Sequence, residues 1–119
     1  MTPRTSNPPF LNGIPEMLVL QVLADRAMHG YELVQAIAAR TAGALEFGEG
    51  SIYPILHRLE AAGVLAGKRE LAGGRSRVVY RLTPKGRKHL ATTIHGWRDV
   101  VAAVERALQG GERAQPGLA

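Results

Sequence analysis

Six apolar residues in the last third of the chain, Leu90, Ile94, Trp97, Val101, Val104 and Leu108, recur at steps of four, three, four, three and four. A repeat of 3.5 residues forms a seam along one side of a helix and buries itself against another helix in a left-handed crossing. In a chain of 119 residues the seam comes last, with few elements left to cover it. The same helix of a second copy is therefore its expected partner, and the six residues are the expected dimerisation contacts. Thr83-Pro84 supplies the N-cap and first position of this helix. Gly96 interrupts it at some cost to helix propensity, beside Trp97. Gly110-Gly111 marks its end, which makes 84–109 a dimerisation helix and 110–119 a disordered tail.

A second stretch, Gly50 to Gly63, reads as a short helix with two unlike faces. At about 100° per residue, Ile52, Ile55, Leu56 and Leu59 form an apolar stripe that needs a core. The other side carries Tyr53, Pro54, His57 and Ala61, flanked by Ser51 and Arg58. Proline has no N–H and sits most comfortably in a first turn, so Ser51 is the expected N-cap. Gly63 is the expected stop, being tolerant of positive φ. A helix of roughly three turns with a polar outer face suits the DNA major groove.

Charge distribution supports that use. From Gly50 to Lys88 there are nine basic residues against two acids, a local charge of +7 in a chain whose total is +5. A basic segment beside a two-faced helix is the footprint of a polyanion partner. Cysteine is absent, which excludes disulfides, thiolate nucleophiles and cysteine-based zinc sites. His29, His57, His89 and His95 are spaced too widely to suggest a metal site, and the acids form no paired acid/base motif. No cofactor and no catalytic activity are expected. The amino terminus lacks a signal-like apolar run, and no stretch reaches the roughly 18 apolar residues of a membrane span. A cytoplasmic protein without a membrane partner is the expectation.

The remaining segments complete an architecture. Residues 1–9 hold three prolines and small polar residues and are expected to be a disordered arm. Ile14 to Leu23 is a helix apolar on nearly every side. Tyr31 to Thr41 is a helix with Leu33, Val34, Ile37 and Ala38 inward. His29 before it is an N-cap or packing residue in preference to a phosphate contact or sensor. In the linker, Leu45 and Phe47 plug the domain edge. Val64 to Leu71 and Arg77 to Leu82 read as strands, the second with Val78, Tyr80 and Leu82 alternating with Arg77, Val79 and Arg81. Between them, Ala72-Gly73-Gly74-Arg75-Ser76 forms a hairpin tip with projecting guanidiniums, suited to probing the DNA backbone or a narrow minor groove. Three helices, a two-stranded hairpin and a final helix describe a mainly α, α+β winged helix-turn-helix over 10–83, followed by the dimerisation helix.

The strings His29-Gly30-Tyr31-Glu32-Leu33, Gly50-Ser51-Ile52-Tyr53-Pro54-Ile55-Leu56-His57-Arg58-Leu59-Glu60, Gly63-Val64-Leu65, Gly74-Arg75, Tyr80-Arg81-Leu82-Thr83 and Gly86 resemble the PadR family of bacterial transcriptional regulators. The resemblance covers about residues 10–109 and is closest to the short subgroup with a single dimerising helix. It implies a homodimeric repressor on a partly palindromic stretch of double-stranded DNA, released by a small molecule or other signal. Carried across residue by residue, it places DNA contacts at Ser51, Tyr53, Pro54, His57 and Arg58 on the recognition helix and at Arg75 and Arg77 on the wing. Lys68 and Ser76 complete the candidate set. Position on the helix favours a phosphate for Arg58, leaving Tyr53, Pro54 or His57 to read bases. Trp97, with Ile94 and Val101 beside it, corresponds to an apolar cavity that takes flat aromatic effectors in some short members; simple packing of the dimer interface accounts for Trp97 equally well. A winged-helix protein-interaction module that binds no DNA is the alternative, since a fold alone does not set function.

Overall fold

The architecture is that of a computed structural model, which describes residues 13–118, with side chains described as far as Gly110 apart from Ala72. The expected N-terminal arm at 1–9 lies outside the described residues. The elements follow in the order α1 (Ile14–Asp25), β1 (Met28–His29), α2 (Gly30–Arg40), α3 (Glu49–Ala61), β2 (Leu65–Ala72), β3 (Arg75–Leu82) and α4 (Pro84–Leu118).

One core joins them. Val19, Leu20, Val22 and Leu23 are all buried, so α1 is covered on more than one side, as its all-round apolar sequence requires. Leu33 and Ile37 come to it from α2, Ile52, Leu56 and Leu59 from α3, Tyr80 and Leu82 from β3, and Leu90 from α4. Ile55, at the edge of the α3 stripe, is only partly covered, and Phe47 closes the core from the linker between α2 and α3. Burial holds the Tyr80 phenol above its ordinary pKa, with the carboxylate of Glu60 adding to the effect, so the ring enters the core neutral.

The sheet has one more strand than the sequence reading foresees. β1 joins the hairpin on the far side of β3, giving the antiparallel order β1-β3-β2 with Met28 opposite Tyr80 and His29 opposite Val79. Two residues are too few to display an alternating pattern, and β1 exists because the inner edge of β3 needs partners for its backbone groups. The hairpin turn is also tighter than the five-residue tip expected. Gly73 and Gly74, at φ 57° and 78°, make the turn by themselves, as a two-residue loop with left-handed backbone at both positions demands. Arg75 and Ser76 accordingly belong to β3, opposite Ala72 and Leu71.

Helix α3 begins earlier than its proline suggests. Gly48, not Ser51, is the N-cap, and its carbonyl accepts from the N–H groups of Ser51 and Ile52, each at 3.0 Å. Ser51 thus lies inside the first turn and Pro54 inside the helix. The missing N–H of Pro54 deprives the Gly50 carbonyl of its helical donor, which is tolerable because Gly50 is exposed to water. The other end is as expected: Gly63 adopts φ 78°, Val64 N donates to Leu59 O and Gly63 N to Glu60 O, both at 3.0 Å. These two bonds satisfy carbonyls that the last turn would leave orphaned.

Thr83 caps α4 as its sequence implies, its Oγ1 accepting from Gly86 N at 3.0 Å. The helix then continues through Gly110-Gly111 to Leu118 instead of stopping at the glycines. A glycine costs a helix only about 1 kcal/mol relative to alanine and does not forbid it. Along the seam, Leu90 packs in the chain's own core and Ile94 lies against it, whereas Trp97, Val101, Val104 and Leu108 are 41%, 36%, 50% and 70% exposed. The exposed part of the seam, among the described residues, therefore starts at Trp97. Leu90, the first residue of the seam, is claimed by the core because the first turns of α4 lie against the body of the domain.

Candidate nucleic-acid interface

Two surfaces meet at a groove. One is the exposed side of α3, where Ser51, Pro54, His57 and Arg58 all face solvent. Tyr53 sits between that side and the core, its ring 6.2 Å from the His57 ring and lying directly over Gly30. The other surface is the wing. Between them a groove of about 510 Å³ is lined by Tyr31, Tyr53, Arg69, Arg75, Ser76 and Arg77, together with His29, Glu49 and Val78.

The start of α2 is tied into this groove. His29 N donates to Glu32 Oε1 at 3.2 Å and Glu32 N approaches His29 Nδ1 at 3.4 Å, a reciprocal cap. On its other nitrogen, His29 Nε2 accepts from Arg77 Nη1 at 2.8 Å. A neutral imidazole accepts at one nitrogen only. The shorter, charge-assisted contact with Arg77 is the stronger claim, so the cap rests chiefly on the Glu32 carboxylate. His29 is thus both the N-cap expected of it and the residue that holds a wing arginine in position.

The groove gathers Tyr53, Arg75, Ser76 and Arg77 from the candidate DNA contacts. Lys68 is exposed on the hairpin opposite Val79 and does not line the groove. Its neighbour Arg69 does: opposite Val78, it shares the inner face with Gly67, Ser76 and Tyr80, while Arg75 and Arg77, on Lys68's side of the sheet by register, also border the groove. Arg69 Nη1 donates to Ser76 Oγ at 2.9 Å. Strand periodicity alone separates Lys68 from Arg69 once the register of the hairpin is known. Tyr31, half exposed at the start of α2, also escapes a sequence reading, which has no way to see that α2 begins beside the wing.

Arg58 stands apart from the groove. Its Nη1 lies 2.9 Å from Glu16 Oε1 on α1, so the expected phosphate anchor already holds a carboxylate. At the opposite end of the domain, Trp97 lines a shallow, mostly apolar recess of about 320 Å³ with Ile14, Met17, Thr93, Gly96 and Val100. Of the candidate effector residues only Trp97 borders it; Ile94 turns to the core and Val101 to solvent. Among the described residues no cluster of three or more His, Cys, Asp or Glu is placed to hold a metal ion, and no helix is long and apolar enough to cross a membrane.

A three-helix core with a hairpin wing beside the exposed third helix defines a winged helix-turn-helix protein. Residues 19–92 match the transcriptional regulator PadR-like family. The chain is 34% identical to Transcriptional regulator Rv3488 of Mycobacterium tuberculosis, over 91% of this chain and 94% of that one. Among solved structures, a PadR-like transcriptional regulator from Bacillus cereus superposes with a TM-score of 0.72 at 28% identity, covering 86% of this chain and 98% of its own. A transcriptional regulator from Clostridium thermocellum shares the fold with a TM-score of 0.78 at 22% identity, over 83% of this chain and 97% of its own. The chain belongs to the PadR-like family of transcriptional regulators.

Proposed function

We propose that this regulator is a homodimeric repressor that binds a partly palindromic operator in double-stranded DNA and releases it on a small-molecule or other signal. The observation that carries the reading is the exposed polar side of α3 standing across a groove from the arginines of the wing. In this arrangement α3 enters the major groove with Tyr53, Pro54 and His57 toward base edges and Ser51 toward the backbone, while Arg75 and Arg77 follow the phosphates. Dimerisation is supported by the row of Trp97, Val101, Val104 and Leu108, which stays substantially exposed among the described residues. Each such side chain contributes about 1.5–3 kcal/mol when fully buried, and pairing two α4 helices buries both rows. Two α3 helices then address two half-sites. The cytoplasm is the compartment that this role requires.

The test is a salt titration of binding to a duplex of the chain's own promoter region. Arg75→Ala should weaken binding to all sequences alike and flatten the dependence of log K on log salt by about one unit. An unchanged slope counts against the wing. Failure of the wild-type protein to bind even non-specific DNA at low salt would favour a protein-interaction module on the same fold.

A second element of the proposal is the signal. The apolar recess beside Trp97, bordered by Gly96, supports a site for a planar aromatic effector at the dimer interface. Quenching of this single tryptophan by planar aromatics supports it, and no response across a varied panel removes it.

A further inference from the structure

The proposed contacts on α3 and on the wing leave the floor of the groove between them without a task. Its arginines differ from Arg26, Arg40 and Arg58 on the helical body. Those three are matched to Glu32, Asp25 and Glu16 at 3.6, 2.7 and 2.9 Å. Among the described residues no carboxylate lies within ion-pair distance of Arg69, Arg75 or Arg77; Arg69 donates to the Ser76 hydroxyl and Arg77 to the His29 ring. Both partners orient a guanidinium without neutralising it, so the fork keeps donors available for an anion.

The register explains why Arg69 points there. On β2 the inner face carries Leu65, Gly67 and Arg69 in turn. Leu65 is buried, and Gly67 lacks a side chain where a Cβ would come within 3.0 Å of Val78 and 2.9 Å of Glu60. Arg69 comes next, where the hairpin has run past the core. Tyr31, in the first turn of α2 and 52% exposed, lines the same groove. Glu49 is the one acid on the lining, against three guanidiniums, which leaves the groove net positive.

We propose that this groove seats the sugar–phosphate strand that passes between the groove read by α3 and the groove entered by the wing, with Arg69 and Tyr31 as phosphate contacts. The inference rests on the DNA-binding reading and adds to it a backbone site and two residues. Arg69 presents a bidentate fork held by Ser76, Tyr31 donates a hydroxyl from the opposite wall, and Arg77 is braced by His29. The open channel of about 510 Å³ has room for several linked groups, which suits a strand better than one free anion. A free phosphate or phosphorylated small molecule presents the same chemistry, and the experiment separates the two.

Binding of a labelled random-sequence duplex is measured over a range of salt concentrations for the wild type, Arg69→Ala, Arg69→Lys and Tyr31→Phe, with Arg106→Ala, on the exposed far part of α4, as a control for net charge. Arg69→Ala should bind several-fold more weakly and lose about one unit of salt slope. Arg69→Lys should keep the slope and lose affinity, since it retains the charge without the fork. Tyr31→Phe should lose affinity at unchanged slope, because a neutral donor displaces no counterion. A slope for Arg69→Ala no flatter than that for Arg106→Ala overturns the proposal. Saturable binding of inorganic phosphate at micromolar concentration, lost in Arg69→Ala while duplex binding is intact, assigns the groove to a free anion and overturns it too. Absence of duplex binding by the wild type would instead remove the DNA reading itself, a result distinguishable from either.

Discussion

Glu16 on α1 accepts a hydrogen bond from Arg58 on α3 at 2.9 Å through Oε1, while its Oε2 lies 3.4 Å from His89 Nε2 on α4. One carboxylate therefore touches α3 and the base of α4. Arg58 is more than half exposed, so the pair contributes at most about 1 kcal/mol to stability. Its larger effect is on DNA binding, because Arg58 reaches a phosphate only by leaving Glu16. Arg58→Ala should therefore flatten the salt slope by clearly less than the roughly one unit expected for Arg75→Ala. Glu16→Gln, which frees the guanidinium, should tighten binding to a random duplex and steepen the slope. Equal slope losses for Arg58→Ala and Arg75→Ala would mean that DNA displaces Glu16 completely.

Gly30 bears on Tyr53. A Cβ at Gly30 would lie 2.5 Å from Tyr53 Cζ and 2.6 Å from its hydroxyl oxygen, so Gly30→Ala must swing the ring away. The helix itself gains about 0.5–1 kcal/mol from alanine over glycine, which offsets part of the disturbance. The expected outcome is a melting temperature close to wild type with a several-fold loss of DNA affinity. A matched titration and thermal melt check it; unaltered affinity would take Tyr53 out of the interface.

Val104 is half exposed in the single chain, yet it sits at the middle of the free stripe on α4. A charge there costs the monomer fold little and is expensive at a dry helix–helix contact. Val104→Asp should halve the mass found by sedimentation and weaken operator binding, while leaving the helical circular dichroism of the domain largely intact. A wild-type protein that sediments as a monomer contradicts the seam.

Gly86 marks the closest approach of α4 to the rest of the domain. A Cβ there would collide with the carbonyl oxygen of Val64 and lie 2.7 Å from Leu82 Cδ1. The carbonyl is backbone and has little room to yield, so Gly86→Ala should cost about 1–3 kcal/mol as an overpacked contact. Thermal denaturation measures it, and a variant as stable as wild type would mean that α4 shifts along the sheet without penalty.

Much of the interface was legible in the residues. The two-faced stretch around Tyr53 and His57 yields a helix with Ile52, Leu56 and Leu59 inside because 3.6-residue periodicity is a local property of the chain. Gly63 stops that helix and Thr83 starts the next for equally local reasons of backbone conformation and capping. Pro54 misled the placement of the N-cap, since a local rule about first turns yielded to a helix that starts at Gly48 and has an exposed side on which to leave a carbonyl unpaired. Arg69 was hidden behind Lys68 because the two differ only in which face of the hairpin they occupy, and that depends on register.

Sequence by itself determined the class of fold, the helix that carries the candidate readers, the basic wing and the apolar stripe along α4. These follow from periodicity, turn chemistry and charge, which act over a few residues. Tertiary structure decided what distant residues do to one another: that β1 extends the sheet, that His29 braces Arg77, that Glu16 holds Arg58, that Leu90 belongs to the core, and that Tyr31 and Arg69 face each other across one groove. His29 and Arg77, Glu16 and Arg58, and Tyr31 and Arg69 stand 48, 42 and 38 positions apart and meet only when the whole core closes, so burial and register set these pairings and no local pattern announces them.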